Sequence, residues 1–215
     1  MPDIGVQHCL RDFAQNVQDA LDLVNRAYSF RILDSRGNYR YIGVRRVELF
    51  AGLALFKIHM AWETFLESVF VRYMCGAASA TGFAPILLGA PKRTIRAAMV
   101  DLLMPNLNFL NWTPSNTLRW ANMYFDHGEP FTITISAVTQ TLGEISVVRN
   151  SFVHRSEYAA SEFRTVVLRM FGYVPRGMSP GRFLLTRNPS PSAGNQKFLE
   201  IYANILLGAS RSIVP

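Results

Sequence analysis

The sequence predicts an all-α protein, folded as an up-and-down helical bundle. Apolar residues recur at intervals of three or four over most of the 215 positions, which is the spacing of helices that bury one face. Strand-like alternation is confined to short stretches, and no internal repeat or low-complexity tract is present. Apolar residues make up 49% of the chain, which is enough for a folded core. We therefore expect a single helical domain over residues 1–215.

The first part of the chain carries two long helical patterns separated by a turn. Residues 6–29 place apolar side chains on one stripe, so this helix should be amphipathic. Residues 34–38 supply turn-forming side chains between short β-prone runs, and they predict a loop or a small hairpin. Residues 44–75 are apolar around most of the helix circumference, so we expect this helix to be central.

The middle of the chain predicts a loop of small residues over 76–91 and then further helices. Residues 131–138 alternate as in a strand, and their β-branched side chains agree with that pattern. The apolar spacing beyond them is helical, so we interpret residues 133–155 as one helix. Shorter helices are predicted at 92–104, 116–125 and 158–172.

The last forty residues combine an irregular segment with a helix. Three glycines and four prolines lie between Pro175 and Gly194, so residues 176–194 are predicted to be irregular. Residues 195–211 regain helical spacing and predict a C-terminal helix.

The composition narrows the class of protein. The formal charge is +7, and 19 of the 22 basic residues are arginine, a side chain suited to phosphate or to any anionic partner. Cys9 and Cys75 are too few for a disulfide framework or a zinc site. The start of the chain shows no signal-peptide pattern. The longest uncharged run, 73–91, contains glycines and prolines that a membrane-spanning helix tolerates poorly. We expect a cytoplasmic protein with no membrane partner.

One short motif in the predicted 133–155 helix has the residue types for acid–base chemistry on a phosphodiester. It runs Arg149-Asn150-Ser151-Phe152-Val153-His154. Histidine can move protons near neutral pH, arginine can clamp phosphate oxygens, and an amide can orient either group. At 100° per residue, Asn150 and His154 lie about 40° apart on a helix, whereas Arg149 and His154 lie about 140° apart. Two such helices facing each other would bring both sets together, which favours a homodimer.

This motif resembles the arginine–polar–x–x–x–histidine signature of the HEPN superfamily. Residues 61–70 are similar to the long second helix of these proteins, and 180–184 with the Tyr202-bearing helix are similar to a toxin-like branch. The resemblance implies an all-α bundle and a ribonuclease that needs no metal or other cofactor. It also implies an RNA substrate cut to a 2′,3′-cyclic phosphate and a 5′-hydroxyl, and a toxin or anti-phage role with an antitoxin or regulatory protein as partner. Arg149, Asn150 and His154 would be the catalytic residues.

The chain departs from one branch of the family at a regulatory position. That branch carries a tyrosine two positions after the histidine, which a partner nucleotidyltransferase modifies. Here the position is Ser156, and Tyr158 follows two residues later. Regulation by that route is therefore not expected.

Further arginines near the motif could bind RNA. Seven arginines lie between residues 149 and 187 against two glutamates, and Arg155, Arg164 and Arg182 are the candidates for RNA contacts. Arg169, Arg176 and Arg187 could flank the same groove, although a solvated surface explains all of these arginines equally well.

A second set of polar residues, His59, Glu63 and Glu67, follows one helical stripe and has metal-ligand side chains. A di-metal bundle would need a second Glu-x-x-His helix, which the sequence lacks, so we predict no metal site. We expect these glutamates to pair with an arginine or to orient the motif.

Two other functions remain open. The chain could be a non-catalytic helical module that binds RNA or a protein through the same groove. It could also be a structural subunit of a larger assembly, in which the motif is exposed but idle.

Overall fold

The computed structural model describes residues 5–103, 110–154, 156–191 and 194–215. Within these ranges the chain forms eight α-helices and one two-stranded sheet, so the prediction of an all-α protein is confirmed. The helices are α1 (Gln7–Ala27), α2 (Val44–Met74), α3 (Ile95–Leu103), α4 (Pro114–Tyr124), α5 (Phe131–Val153), α6 (Glu157–Phe171), α7 (Pro180–Leu185) and α8 (Phe198–Ile213). The strands are β1 (Arg31–Leu33) and β2 (Tyr39–Tyr41), and a short 3₁₀ turn spans Asp126–Gly128.

The chain divides into two compact units. The first comprises Met1–Gln15, Ala61–Gln140 and Leu206–Pro215, and the second comprises Asn16–Met60 and Thr141–Ile205. The long helices α1, α2, α5 and α8 each contribute to both units. The expectation of a single domain stays a prediction.

The first unit is built around an aromatic cluster. The ring of Phe70 lies 4.8 Å from that of Phe131, 5.0 Å from that of Phe125 and 5.4 Å from that of Trp112. All four side chains are buried, and such ring pairs add to the free energy gained from burying their apolar area. This cluster joins α2 to the start of α5 in the first unit.

The second unit has its own aromatic core between α6, α7 and α8. Phe183 and Phe198 stack with their ring centroids 4.3 Å apart, and Phe163 meets Phe183 edge-on at 5.8 Å. Each of the three rings is buried. Burial of these large apolar surfaces fixes α6 against α7, and these two helices border the candidate site.

The two longest helices pack side by side, as their wide apolar faces predict. In the second unit Gly52 of α2 faces Phe152 of α5, and a Cβ at position 52 would overlap the phenylalanine ring. In the first unit α2 and α5 meet through Phe70 and Phe131. Helix α2 is nevertheless not covered on all sides, because Leu49 and Leu53 are each about half exposed.

Two helical stretches are apolar and long enough to cross a membrane by length and composition alone. They are Val44–Met74 and Asp126–Val153, among the residues that the structure describes. Half of the most apolar window of the first and 39% of that of the second are buried inside the protein. Core helices of soluble proteins have the same character.

The stretch with strand-like alternation is helical. Ile133 is 71% exposed, whereas Phe131, Ile135 and Val138 are buried, so burial repeats every three or four residues and not every second one. Helical packing therefore overrides the β-propensity of this segment.

The predicted turn at 34–38 is a β-hairpin turn. Asp34 accepts hydrogen bonds through Oδ1 from the backbone N–H groups of Arg36 (2.9 Å) and Asn38 (3.0 Å). Gly37 has φ of +80°, a conformation that glycine adopts without strain. The turn joins β1 to β2 in antiparallel register, with Arg31 opposite Tyr41 and Leu33 opposite Tyr39.

The prediction that residues 176–194 are irregular is wrong over α7. Pro180 stands at the first turn of the helix, where its missing N–H costs nothing, and Ser179 caps the helix by accepting from the Arg182 N–H at 3.1 Å. A Cβ at Gly181 would overlap the backbone of Glu48 in α2, so glycine permits a close helix crossing here. Proline and glycine therefore start and pack a helix that their composition alone had excluded.

The close approach at Gly52 gives a test of this packing. We expect Gly52→Ala to lower the free energy of unfolding by about 1–3 kcal/mol, because the added methyl displaces the Phe152 ring. The matched control is Gly143→Ala in α5, where a Cβ meets no atom within 4 Å and alanine should stabilise the helix by about 0.5–1 kcal/mol. Urea denaturation of both variants measures their free energies of unfolding. Equal effects of the two substitutions would contradict the close packing of Gly52 against Phe152.

Candidate functional site

The predicted motif lies at the corner where α5 ends and α6 begins. Helix α5 ends at Val153, and the His154 N–H still donates to the Asn150 carbonyl at 2.8 Å. Helix α6 begins at Glu157 and is capped by Ser156, whose Oγ accepts from the Ala159 N–H at 3.2 Å. One helix therefore ends and the next begins within a few residues, and His154 is exposed to solvent between them. Arg155, a predicted RNA contact, lies outside the described residues.

His154 borders two clefts of the second unit. The larger, which we call the arginine cleft, has a volume of about 580 Å³ and is lined by His154, Arg164 and Arg176 together with the 174–178 segment. The smaller, the Asn150 cleft, has a volume of about 350 Å³ and is lined by Asn150, His154, Tyr158 and Glu162 among others. The imidazole is thus accessible from both sides of the α5–α6 corner.

The arginine cleft combines an apolar floor with a basic rim. Phe163 and Val167 of α6 line the cleft and are buried, so the floor is fixed by the core of the unit. Arg164 and Arg176 are exposed at its rim, where Glu157 is the acidic lining residue. Neither arginine forms an ion pair with any residue that the structure describes. Their guanidinium groups are therefore available to an anion.

Arg182, another predicted RNA contact, has a different position. Its Nη1 donates to the carbonyl oxygens of Arg176 and Gly177, both at 3.4 Å. Arg182 is exposed but is not among the residues that line the arginine cleft. It braces the segment that carries Arg176, so its effect on a ligand would be through that segment.

Arg149 lies in a different environment from His154. It is half-buried, lines neither cleft, and its Nε is inaccessible to solvent and has no hydrogen-bond partner among the described residues. The charge of Arg149 acts on His59 of α2 and contributes to the lowered pKa of that histidine. Within one chain the structure therefore brings Asn150 and His154 together, as helix geometry predicts, and leaves Arg149 apart from both clefts.

His59 is a residue near the motif that the sequence pattern did not connect to it. It is 9% exposed, and burial, followed by the charge of Arg149, lowers the pKa of its imidazole to about 4. It is therefore neutral at physiological pH. Helical spacing alone predicts the burial of His59, because this residue shares a helix face with the buried Leu55 and Trp62.

The stripe of His59, Glu63 and Glu67 does not form a ligand set. In the part of the chain that the structure describes, no three histidine, cysteine or acidic side chains lie where they could share a metal ion. Glu67 accepts a hydrogen bond from Trp112 Nε1 at 3.1 Å, so among the described residues its partner is an indole, whereas the sequence predicted an arginine for Glu63 or Glu67. This carboxylate has a local packing role in the first unit.

Arg169, one of the arginines that could have flanked an RNA groove, instead takes part in a hydrogen-bond network around the buried carboxylate of Glu144. Its Nη2 donates to Glu144 Oε1 at 2.7 Å, and the Tyr202 hydroxyl donates to Glu144 Oε2 at 3.1 Å. Burial and the neighbouring carboxylate raise the pKa of Tyr202 far above its ordinary value, so the phenol stays protonated. The network ties α5, α6 and α8 together and so fixes the corner that carries His154.

The buried His59 should make stability depend on pH. Its pKa is near 4 in the folded state and about 6.5 when unfolded, so the unfolded chain binds the proton more readily between these values. The stability that neutral His59 contributes is therefore present above pH 6.5 and is lost as the pH falls towards 4, by roughly 3 kcal/mol in total.

Chemical denaturation between pH 7 and pH 4.5 measures this loss. We expect His59→Gln to remove most of the dependence of the unfolding free energy on pH that His59 causes. The control is His127→Asn, since the His127 side chain is 87% exposed and asparagine tolerates its φ of +50°. A slope that is unchanged in His59→Gln would show that another group titrates.

Comparison with known protein families, with curated proteins and with solved structures finds no match for this chain.

Proposed function

We propose that the protein is a metal-independent endoribonuclease of the HEPN type, with His154 as its acid–base residue. The observation that carries the proposal is the position of His154, which is exposed where the arginine cleft meets the Asn150 cleft. One cleft supplies free guanidinium groups for phosphate, and the other supplies the amide predicted to assist. A histidine with a merely structural role would not need access to both.

The proposed reaction uses the 2′-hydroxyl of the RNA as the nucleophile. A histidine removes the 2′-hydroxyl proton while the oxygen attacks the adjacent phosphorus. A second histidine protonates the departing 5′-oxygen, so the products are a 2′,3′-cyclic phosphate and a 5′-hydroxyl. Arginine offsets the charge on the phosphorane oxygens, and Asn150 orients the ribose or the imidazole by hydrogen bonds.

The proposal requires a second copy of the chain. Helical geometry separates residues at the spacing of Arg149 and His154 by about 140°. Of the three proposed catalytic residues, Asn150 and His154 line the described clefts and Arg149 does not. A two-fold axis beside the ends of two α5 helices would supply two histidines and bring in the second arginine. We propose a homodimer with one composite site. A cytoplasmic toxin or anti-phage effector held in check by an antitoxin or regulatory protein is the biological setting that this activity fits.

One observation favours a second function, a non-catalytic helical module that binds RNA or a protein. Arg149 is partly buried with its Nε inaccessible to solvent, and it lines neither cleft, which is compatible with a structural role that needs no catalysis. On this alternative the arginine cleft would bind the phosphates of an RNA without cleaving that RNA.

The decisive test separates cleavage from binding. We expect His154→Ala to reduce cleavage of a labelled single-stranded RNA by about 10²–10⁴-fold, because the proton transfers are lost. Binding of the same RNA should be little changed, since Arg164 and Arg176 remain. His127→Asn is the matched control, as it removes an exposed histidine that borders neither cleft.

The same assay has substrate and metal arms. Cleavage should persist in EDTA and should fail on DNA or on RNA with a 2′-O-methyl group at the cleaved nucleotide. Product ends are identified by mass. RNA binding without any cleavage would support the binding module, and a strict need for Mg²⁺ would refute the proposed mechanism.

A dimeric site also predicts how activity depends on concentration. We expect the specific activity to rise with protein concentration over the range in which light scattering shows monomers forming dimers. Arg149→Lys should lower activity while preserving the fold, because lysine keeps the charge and loses the planar fork. Full activity in a preparation that scatters only as monomer would contradict the composite site.

A further inference from the structure

The β-hairpin of the second unit presents a surface that neither cleft includes. We infer that this hairpin binds single-stranded nucleic acid by stacking bases on Tyr39 and Tyr41 while its arginines contact the phosphates. The inference goes beyond the proposed cleavage and does not depend on it, because it concerns binding at a separate set of residues.

The register of the two strands places the tyrosines on one face. Side chains alternate between the faces of a sheet, so Tyr39 and Tyr41 share a face with their partners Leu33 and Arg31. Tyr39 is 71% exposed and Tyr41 is 59% exposed. Residues that are two apart along a strand are separated by about 6.6 Å, which leaves room for a separate base on each ring.

The opposite side of the hairpin is anchored to the protein. The ring of Phe30, at the base of the hairpin, meets that of Phe50 in α2 edge-on at 5.8 Å. Within the hairpin, the Ile42 N–H donates to the Phe30 carbonyl at 3.0 Å, so the pairing of the two chain segments continues to this base. Ile32 and Ile42 are partly buried. The tyrosine face is therefore held in place before any ligand arrives, which lowers the entropic cost of binding.

One tyrosine is already paired with a cation. The guanidinium of Arg31 lies 5.0 Å from the centre of the Tyr41 ring, and its Nη2 donates to the Tyr41 hydroxyl at 3.1 Å. This contact orients the ring and leaves a positive charge beside it. An aromatic face bordered by arginine is the arrangement that single-strand binding proteins use for bases and phosphates.

The charge around the hairpin selects an anionic strand as the occupant. Between residues 31 and 46 the acidic residue is Asp34, against five arginines at positions 31, 36, 40, 45 and 46. Asp34 has its Oδ1 engaged with backbone N–H groups of the turn. A local excess of four positive charges beside two exposed aromatic rings fits a polyanion with flat bases better than it fits an acidic protein surface.

The test is a fluorescence-anisotropy titration of the full chain with a labelled single-stranded oligonucleotide. The probe is 2′-O-methyl RNA, which the proposed nuclease cannot cut. We expect Tyr39→Ala and Tyr41→Ala each to weaken binding by about tenfold or more, and Tyr39→Phe to retain it, because stacking needs the ring and not the hydroxyl. Tyr173→Ala is the matched control, since Tyr173 is an exposed tyrosine of the same unit outside the hairpin.

Two further arms address the bases and the charges. A blunt duplex of the same sequence should bind more weakly, because its bases are already stacked on each other. Replacing Arg31, on the tyrosine face, and Arg36, in the turn, by glutamine should reduce the salt dependence of log K by about 0.7 for each phosphate that the protein no longer neutralises. Circular dichroism establishes that each variant is folded.

The outcomes are distinct from those of the cleavage assay. Cleavage and binding to the hairpin are measured in separate assays with separate variants, so loss of cleavage in His154→Ala leaves this inference standing. Equal binding of single strand and duplex would overturn it, and so would hairpin variants that bind as well as Tyr173→Ala. If the hairpin bound an acidic protein and not the oligonucleotide, the surface would belong to a different partner, and this result would also overturn the inference.

Discussion

The buried carboxylate of Glu144 holds the helices on which the candidate site depends. It lies within α5, and its two oxygens accept hydrogen bonds from Arg169 of α6 and Tyr202 of α8. A buried carboxylate is costly unless its charge and its lone pairs are satisfied, and here one oxygen faces a guanidinium and the other a phenol. Arg169 is about half exposed, so it keeps part of its hydration while neutralising the carboxylate. These contacts join α5 to α6 and α8, the helices on either side of the corner that carries His154.

The two charged members of the motif lie in contrasting environments. His154 is in solvent at the end of α5, where its imidazole can exchange protons, whereas Arg149 is partly buried next to a neutral histidine. Burial suits an arginine better than a lysine, because guanidinium stays charged and is more weakly hydrated. The arrangement also explains why His59 is neutral, since a proton on it would sit in a buried site beside an existing positive charge. Within one chain, therefore, Arg149 is partly buried, whereas His154 is exposed to solvent.

The basic excess of the chain is spread over two different kinds of surface. The arginine cleft has a concave apolar floor and guanidinium groups at its rim, which suits a nucleotide held against a fixed wall. The hairpin has a flat face of tyrosines among arginines, which suits extended bases. Concave and flat surfaces make different demands on a ligand, yet both carry arginines that could contact the phosphates of the proposed nucleic acid. The arginines at the two sites would add to affinity through release of counterions, while the apolar floor and the rings would distinguish one part of a strand from another.

The sequence by itself determined the local structure of this protein. Apolar spacing predicted α1, α2, α5, α6 and α8 to within a few residues, because the buried face of a helix repeats at its own period. Turn chemistry at 34–38 predicted the hairpin, since the hydrogen bonds of Asp34 and the backbone freedom of Gly37 are local properties. The placement of Asn150 and His154 on one face likewise needed only the helix repeat.

Only the tertiary structure decided which surfaces meet. Helix α7 forms where proline and glycine predicted irregular chain, because Ser179 at its cap and Gly181 within it both pack against Glu48 of α2, a residue far earlier in the chain. The ion pair of Arg169 with Glu144 joins separate helices, and so does the effect of the Arg149 charge on the pKa of His59. The periodicity of a sequence predicts that a helix face is buried, but it does not predict which other helix covers that face. The neutral state of His59, the partial burial of Arg149 and the two clefts at His154 therefore follow from helix packing.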